Sequence, residues 1–262
     1  MAPLFVVVAV LGLAVGSFLN VVIYRVPRGE SLVRPRSHCP HCQSVIRPWH
    51  NVPVVGWLVL RGRCAACHTH ISVRYPIVEL GTAALFVAVA ARFGMSAALP
   101  AYLYLAAVAL ALAVIDLDVW RLPNAIVYPS YLVGLVLLGT ASAVDDDWAA
   151  IGRGLLGTVA VIALFLPLTY TFGRRGMALG DVKVGGLLGL YLGWLGWKPL
   201  LVGLFAGFVI GSLVGLASIG ARRSGLKPLL PYGPSMMAGA FVAVFFGGPI
   251  AGWYLSLILP TV

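Results

Sequence analysis

Apolar residues run along this chain in long uninterrupted blocks, separated by short polar stretches. They do not follow the alternating or three-to-four spacing that marks half-buried strands and helices of a soluble fold. Eight blocks stand out, at residues 3–24, 76–93, 98–116, 124–143, 149–172, 183–198, 199–221 and 232–258. A helix of about 20 residues crosses the hydrocarbon layer, and most of the blocks meet that length. The 183–198 block is short and carries Gly185, Gly186, Gly189, Gly193 and Gly196. Small residues let helices approach closely inside a membrane, so this block is expected to be a short helix enclosed by its neighbours. The predicted fold is all-α: a polytopic transmembrane bundle of about eight spans with one hydrophilic segment long enough to form a small domain. The chain accordingly divides into a first span (1–24), a polar loop domain (25–75) and a helical bundle (76–262). No internal repeat is evident.

Composition agrees with this pattern. Of 262 residues, 61% are hydrophobic and 10% charged, whereas a soluble domain carries about a quarter charged residues. The net charge of +10 would suggest a nucleic-acid partner on a soluble domain. Here the basic residues lie between the apolar blocks, where they set orientation, and no nucleic acid is expected. The loops 25–75, 117–123, 173–183 and 222–231 hold 15 of the 18 lysines and arginines, and the opposite loops hold only Arg92, Arg153 and Lys198. The positive-inside rule then places the first set in the cytoplasm. Both ends of the chain, and the run Asp145-Asp146-Asp147, fall on the other side. The first block has no Lys or Arg before it and no evident small-residue cleavage site after it, so it reads as a retained span.

Only eight acidic residues are present, and three of them lie at span ends: Asp116 and Asp118 in Ile115-Asp116-Leu117-Asp118, and Asp181 in Gly180-Asp181-Val182-Lys183. Carboxylates at membrane depth are costly and usually mark function. The loop count puts all three at cytoplasmic helix ends, at similar depth though far apart in sequence. Two carboxylates brought together can share one proton and activate water, one acting as base and the other as acid. The alternative is interfacial capping. The helix dipole favours Asp181 at a helix start, but Asp116 sits at a helix end, where it does not.

Cys39-Pro40-His41-Cys42 and Cys64-Ala65-Ala66-Cys67 lie 21 residues apart in the polar loop. Two C-x-x-C pairs at such spacing can close a tetrahedral thiolate site for structural zinc, and the alternatives are free thiols or a redox pair. His38, His41, His50, His68 and His70 share this loop. With four thiolates available, they are read as surface or outer residues. The loop has too little core to fold without such a staple. Its basic character suits either an anionic lipid surface or a partner.

These residues resemble the type IV prepilin leader peptidases, membrane aspartic proteases carrying a G-x-G-D motif. Ile115-Asp116-Leu117-Asp118 followed by Leu122-Pro123-Asn124 is similar to the family's first aspartate motif, and Gly180-Asp181-Val182-Lys183 to its second. Leu230-Pro231-Tyr232-Gly233-Pro234, the segment Gly16 to Arg25 and the segment Arg74 to Leu80 also resemble the family. The resemblance covers nearly the whole chain. It implies Asp116 and Asp181 as the catalytic pair, with Asp116 chosen over Asp118 by its distance to the proline, and Asp118, Gly180, Lys183 and Glu79 in support. One position departs: Ala178 stands where the motif has its first glycine. A backbone requiring positive φ would be strained there, with Gly176 as a possible relief.

The resemblance further implies an inner-membrane enzyme of type IV pilus or type II secretion systems, with its active site at the cytoplasmic face. The substrates would be prepilin or pseudopilin precursors with a short basic leader, a Gly before the cut and usually a Phe after it. Members with the four-cysteine loop also methylate the new N-terminal amine from S-adenosylmethionine. No glycine-rich cofactor fingerprint is visible, so that activity rests on resemblance, as does a part for Glu79, whose other reading is a helix N-terminal charge. Two other classes fit part of the pattern. A proton-coupled transporter suits intramembrane acids and glycine-rich spans but not acids clustered at one face. A non-catalytic assembly factor is suggested only by Ala178.

Overall fold

The computed structural model describes residues 2–172, 177–221 and 231–258. Gly176, the basic residues Arg174, Arg175, Arg222, Arg223 and Lys227, and Leu230 lie outside these segments, so expectations placed on them are not addressed. Among the described residues the chain is helical, with no strand beyond two isolated β-bridges. The helices are α1 (Ala2–Arg25), α2 (Val55–Val59), α3 (Arg74–Phe93), α4 (Leu99–Val119), α5 (Asn124–Val144), α6 (Trp148–Phe172), α7 (Leu179–Leu195), α8 (Trp197–Ala221) and α9 (Gly233–Ile258). Apart from α2 and α7, each is long and apolar enough to cross a membrane. The remaining apolar block forms α7, which at 17 residues falls short of that length, so among the described residues seven of the eight expected spans are present as such.

Two compact units divide within α4, at Ala111/Leu112. In the first, α1 packs along α3. Arg25 closes α1 and anchors the loop: its guanidinium, buried, donates to the carbonyls of Ser31 and Pro35 at 2.8 Å each. In the second unit, α7 is the central element and touches α5, α6, α8 and α9. It starts four residues earlier than the apolar block suggests, because the polar turn Gly180-Asp181-Val182-Lys183 is already helical. At 17 residues it spans about 25 Å. It has no polar face: from Val184 to Gly193 every residue is buried.

The glycines of α7 explain how so short a helix is enclosed. A Cβ on Gly189 would lie 2.7 Å from the carbonyl oxygen of Gly157, and one on Gly157 would lie 2.5 Å from that of Gly189. At this crossing α6 and α7 meet backbone to backbone, and only hydrogen fits between them. Bringing α7 to the centre sets the position of its first turn, which carries Asp181.

Candidate functional sites

Asp116 lies in the last turn of α4. The helix is closed by Trp120, whose N–H donates to the Asp116 carbonyl at 3.0 Å. Trp120 takes φ 56°, the left-handed position that glycine usually fills at a helix end. The chain then reverses through Leu122 and Pro123 into α5. Asp181 lies in the first turn of α7. One of its carboxylate oxygens accepts the N–H of Ala178 at 2.9 Å. This is the acidic half of a capping box; alanine has no side-chain oxygen to supply the other half. Ala178 itself is in ordinary extended conformation, φ −86° and ψ 154°. The feared strain is therefore absent.

The two carboxylates lie within electrostatic reach of one another. Asp116 is 5% and Asp181 7% exposed, and the charge of Asp181 acts on both Asp116 and Tyr232. Leu122 is the hub of the junction. A Cβ on Gly180 would lie 3.3 Å from Leu122, and one on Gly233 would lie 3.5 Å from it. The same Cβ on Gly233 would lie 2.5 Å from Asp116 Oδ2. The end of α4, the α4–α5 turn and the starts of α7 and α9 thus meet at one place. Asp116 Oδ2 is buried and makes no hydrogen bond of full geometry among the described residues, although the Gly233 amide lies against the same carboxylate. Buried polar atoms are nearly always satisfied, and an orphan asks for an explanation. A carboxylate oxygen of this kind is an acceptor suited to a shared proton or a reacting water.

The other expected residues fall around this pair. Gly180 makes room for Leu122. Lys183 points away: its Nζ donates to Asn124 Oδ1 at 3.0 Å and lies 5.1 Å from the centre of the Tyr128 ring. The Tyr131 hydroxyl donates to the Lys183 carbonyl. Lys183 therefore ties α7 to the start of α5. Asp118, by contrast with the buried Asp116, is exposed. Leu122, Tyr232 and Gly233 stand in the sequence only as motif letters. Gly233 abuts Asp116 and Leu122 packs against Gly180 and Gly233, and the one sequence signal for this is a glycine between tyrosine and proline at a helix start.

In the polar loop the four thiols converge. All four sulfurs lie within 4.8 Å of one another, with Cys39–Cys67 at 3.8 Å and Cys42–Cys64 at 3.9 Å. Four sulfurs at about 2.3 Å from a tetrahedral zinc would be roughly 3.8 Å apart. The backbone around them is built twice. Cys39 N–H bonds Ser44 O, Gln43 N–H bonds Cys39 O, and Ile46 N–H bonds Ser37 O; Cys64 N–H bonds Thr69 O, His68 N–H bonds Cys64 O, and Ile71 N–H bonds Gly62 O. The β-bridges His38↔Val45 and Arg63↔His70 frame the two turns, and Gln43 and His68 share φ near 58° and 57°. At this scale the chain does contain an internal repeat, too short and too varied in side chain to read from sequence. Backbone N–H groups of Cys67 and Ala66 hold the Cys64 thiol down to about 6, which favours the thiolate a metal needs. The histidines stay outside the cluster, and none is buried.

Beside the knuckles lies a cavity of about 680 Å³ reaching from Cys39 and Cys64 past Trp57 to Tyr75 and Glu79. Glu79, in the second turn of α3, is 7% exposed. Its Oε2 accepts the N–H of Val54 at 2.7 Å, and the Ser17 hydroxyl also donates to it. Val54 has φ 61° and ψ −50°, and Val55 N–H bonds the Pro53 carbonyl at 2.6 Å. This is a γ-turn of the rare, strained hand, centred on a β-branched residue. Strain of this kind costs about 1–3 kcal/mol and persists only where its surroundings enforce it. The Glu79 carboxylate is the group that holds it.

The comparisons with known proteins point the same way. Residues 10–93 match the bacterial peptidase A24 N-terminal domain and residues 103–216 the type IV leader peptidase family. The prepilin leader peptidase/N-methyltransferase of Pseudomonas putida is 37% identical, over 95% of this chain and 93% of its own length. Proteins of the same name from Aeromonas hydrophila (36%, 97% of this chain and 95% of its own) and Myxococcus xanthus (42%, 82% and 65%) are also similar. No solved structure gives a match. The family models cover both the cysteine loop and the aspartate-bearing helices, and the likeness runs nearly end to end; the chain belongs to the type IV leader peptidase family.

Proposed function

We propose that this multi-pass membrane protein is an aspartic endopeptidase that removes the short leader of prepilin-like precursors at the cytoplasmic face of the inner membrane. We propose further that it then methylates the new N-terminal amine. The observation that carries the first activity is the meeting of two buried carboxylates, Asp116 and Asp181, at the ends of helices in an apolar bundle. Each carboxylate has a backbone amide against it, Ala178 on Asp181 and Gly233 on Asp116, so the pair can share one proton with either member ionised. In this reading a water between them loses a proton to the ionised carboxylate as it adds to the scissile carbonyl, while the other carboxyl donates to the carbonyl oxygen. The proton then passes to the departing amine. The leader junction is a fitting target, because a peptide bond within a helix must unwind before attack.

Cys39, Cys42, Cys64 and Cys67 would hold one zinc, which cross-links the two knuckles and gives a loop with little core its shape. S-adenosylmethionine, when bound, supplies the methyl group. The curated relatives' shared name supports this second activity, and the cysteine loop is the part of the chain we assign to it. The test is mass spectrometry of a prepilin co-expressed with the enzyme, scoring leader loss and the added methyl separately. Wild type should produce both. An intact leader with the enzyme correctly inserted would reject the peptidase reading.

A further inference from the structure

We propose that the cavity beside the knuckles is the methyl-transfer chamber, and that Glu79 is the carboxylate facing its cationic reactants. This rests on the methyltransferase reading above and names the site that serves it. The cavity volume, about 680 Å³, falls within the range of small-molecule sites. Among the residues lining it, Glu79 is the one carboxylate. Two neutral donors, the Val54 amide and the Ser17 hydroxyl, fix its orientation. Arg47 also lines the cavity but is exposed, and its guanidinium lies 5.6 Å from the Trp49 ring centre, so it is engaged at the surface. Trp57 also lines the cavity. Its Nε1 donates to the Ile71 carbonyl at 3.1 Å, and its ring edge packs so closely on Gly62 that a Cβ there would lie 2.8 Å away. A rigid indole face is suited to a purine ring or a sulfonium cation. The strained turn at Val54 keeps the carboxylate clamp and the cavity wall in register.

The chemistry suits a fixed carboxylate in the cavity wall. The free amine of the cleaved pilin attacks the methyl carbon of the sulfonium donor. The new N–C bond forms as the C–S bond breaks, and that bond's electron pair stays on sulfur as a neutral thioether. The positive charge moves to nitrogen, and the extra proton passes to Glu79 and on to water. Glu79 therefore faces a cation before and after transfer, which a buried carboxylate stabilises strongly.

The test compares S-adenosylmethionine with S-adenosylhomocysteine, which lacks the sulfonium charge, by calorimetry on the full-length, zinc-loaded enzyme in detergent. Wild type should bind the sulfonium about tenfold more tightly, as a charge-assisted contact implies. Glu79→Gln should lose that preference while its affinity for the thioether stays within about twofold, and Glu79→Asp should keep part of it. Trp57→Ala should weaken both ligands by about tenfold. Zinc content checks the loop of each variant. A Glu79→Gln enzyme that retains zinc and the full preference overturns the inference while the methyltransferase reading stands. A zinc-retaining Glu79→Gln enzyme that loses both ligands equally also overturns it, since the carboxylate would then only shape the wall. Wild type that binds neither nucleoside overturns the inference and the methyltransferase reading together.

Discussion

In the 25–75 loop, each thiol lies within a few residues of the backbone groups that position it. In the bundle, Asp116 and Asp181 are 65 residues apart, and neither is placed by its own neighbours alone. The knuckles are made by short turns used twice, and any chain with that local pattern would bring two sulfurs together. The carboxylates are made by packing: α7 is drawn to the centre by hydrogen-for-side-chain contacts with α6, and Leu122 wedges between the starts of α7 and α9. A locally built site tolerates change elsewhere in the molecule, whereas a packed site feels every atom added at its junction. The two regions should therefore break differently.

The largest effect is expected at the carboxylates. Asp116→Asn or Asp181→Asn should each lower prepilin cleavage by about 10³-fold or more, since one carboxylate cannot be both acid and base. Both variants should remain in the membrane and retain zinc. Supplied with a pre-cleaved peptide bearing a free N-terminal Phe, they should still methylate it. If neither variant does so while wild type does, the two regions form one site and the contrast drawn here is wrong.

Next comes Gly233→Ala. The added Cβ would lie 2.5 Å from Asp116 Oδ2, closer than real carbons approach, and the buried carboxylate has little room to yield. A fall of about 10²-fold in kcat, with KM little changed, is expected for a displaced catalytic group. Gly180→Ala meets Leu122, whose Cβ would lie 3.3 Å away, a milder contact that should cost less. Equal losses from the two alanines would mean that crowding of the helix starts, and not the carboxylate contact, is what matters.

The sequence exposed the two sites unequally, for the same physical reason. C-x-x-C twice in one loop is a local pattern, so the metal cluster was legible in full and only its doubled hydrogen bonding was not. The spans were legible because a bilayer demands long apolar helices, and even the buried short helix was signalled by its glycines. The aspartates were legible as costly charges at span ends. What held them together was not: Leu122 and Gly233 are ordinary apolar and small residues, and nothing in their own segments says that one wedges two helix starts apart while the other abuts Asp116. Nor does any pattern announce the strained turn at Val54, because β-branched residues normally avoid that conformation.

Damage to the knuckles should spare the bundle. Cys39→Ser combined with Cys42→Ser should remove the zinc, open the loop to protease and abolish methylation. Cleavage should stay within about fivefold of wild type, as expected for sites in separate compact units. Loss of cleavage equal to that of the aspartate variants would show that the loop is needed for the carboxylate chemistry itself. A subtler effect concerns the thiols after chelation. With Cys64 held down to about 6 by the amides of Cys67 and Ala66, it is a thiolate above that pH and becomes protonated as the pH falls through it. It should therefore be the first of the four to be alkylated by iodoacetamide at pH 7, with its rate falling below about pH 6. Buried Cys39 should be slow. Peptide mapping against time decides the order, and equal rates for all four would remove the assigned role of the knuckle amides.

The smallest effect is expected where the chain departs from its family. Ala178→Gly restores the motif's glycine, and if that glycine were needed for a left-handed backbone the change should accelerate cleavage markedly. Ala178 is instead extended, at φ −86° and ψ 154°, a conformation any residue adopts. What the site takes from position 178 is its N–H, which reaches the Asp181 carboxylate at 2.9 Å and is the same in either residue. The methyl group is exposed, so its removal leaves no cavity. Glycine does enlarge the freedom of the unfolded chain, and at compatible positions this costs about 0.4–1 kcal/mol of stability. The Ala178→Gly enzyme should therefore cleave prepilin within about twofold of wild type and lose stability slightly, by an amount set by that entropy. Parallel measurement of kcat and of thermal inactivation in detergent separates the two effects. A rise in kcat of tenfold or more would mean that the turn before α7 moves into a glycine-only conformation during catalysis. The carboxylate geometry described above would then be that of a resting state.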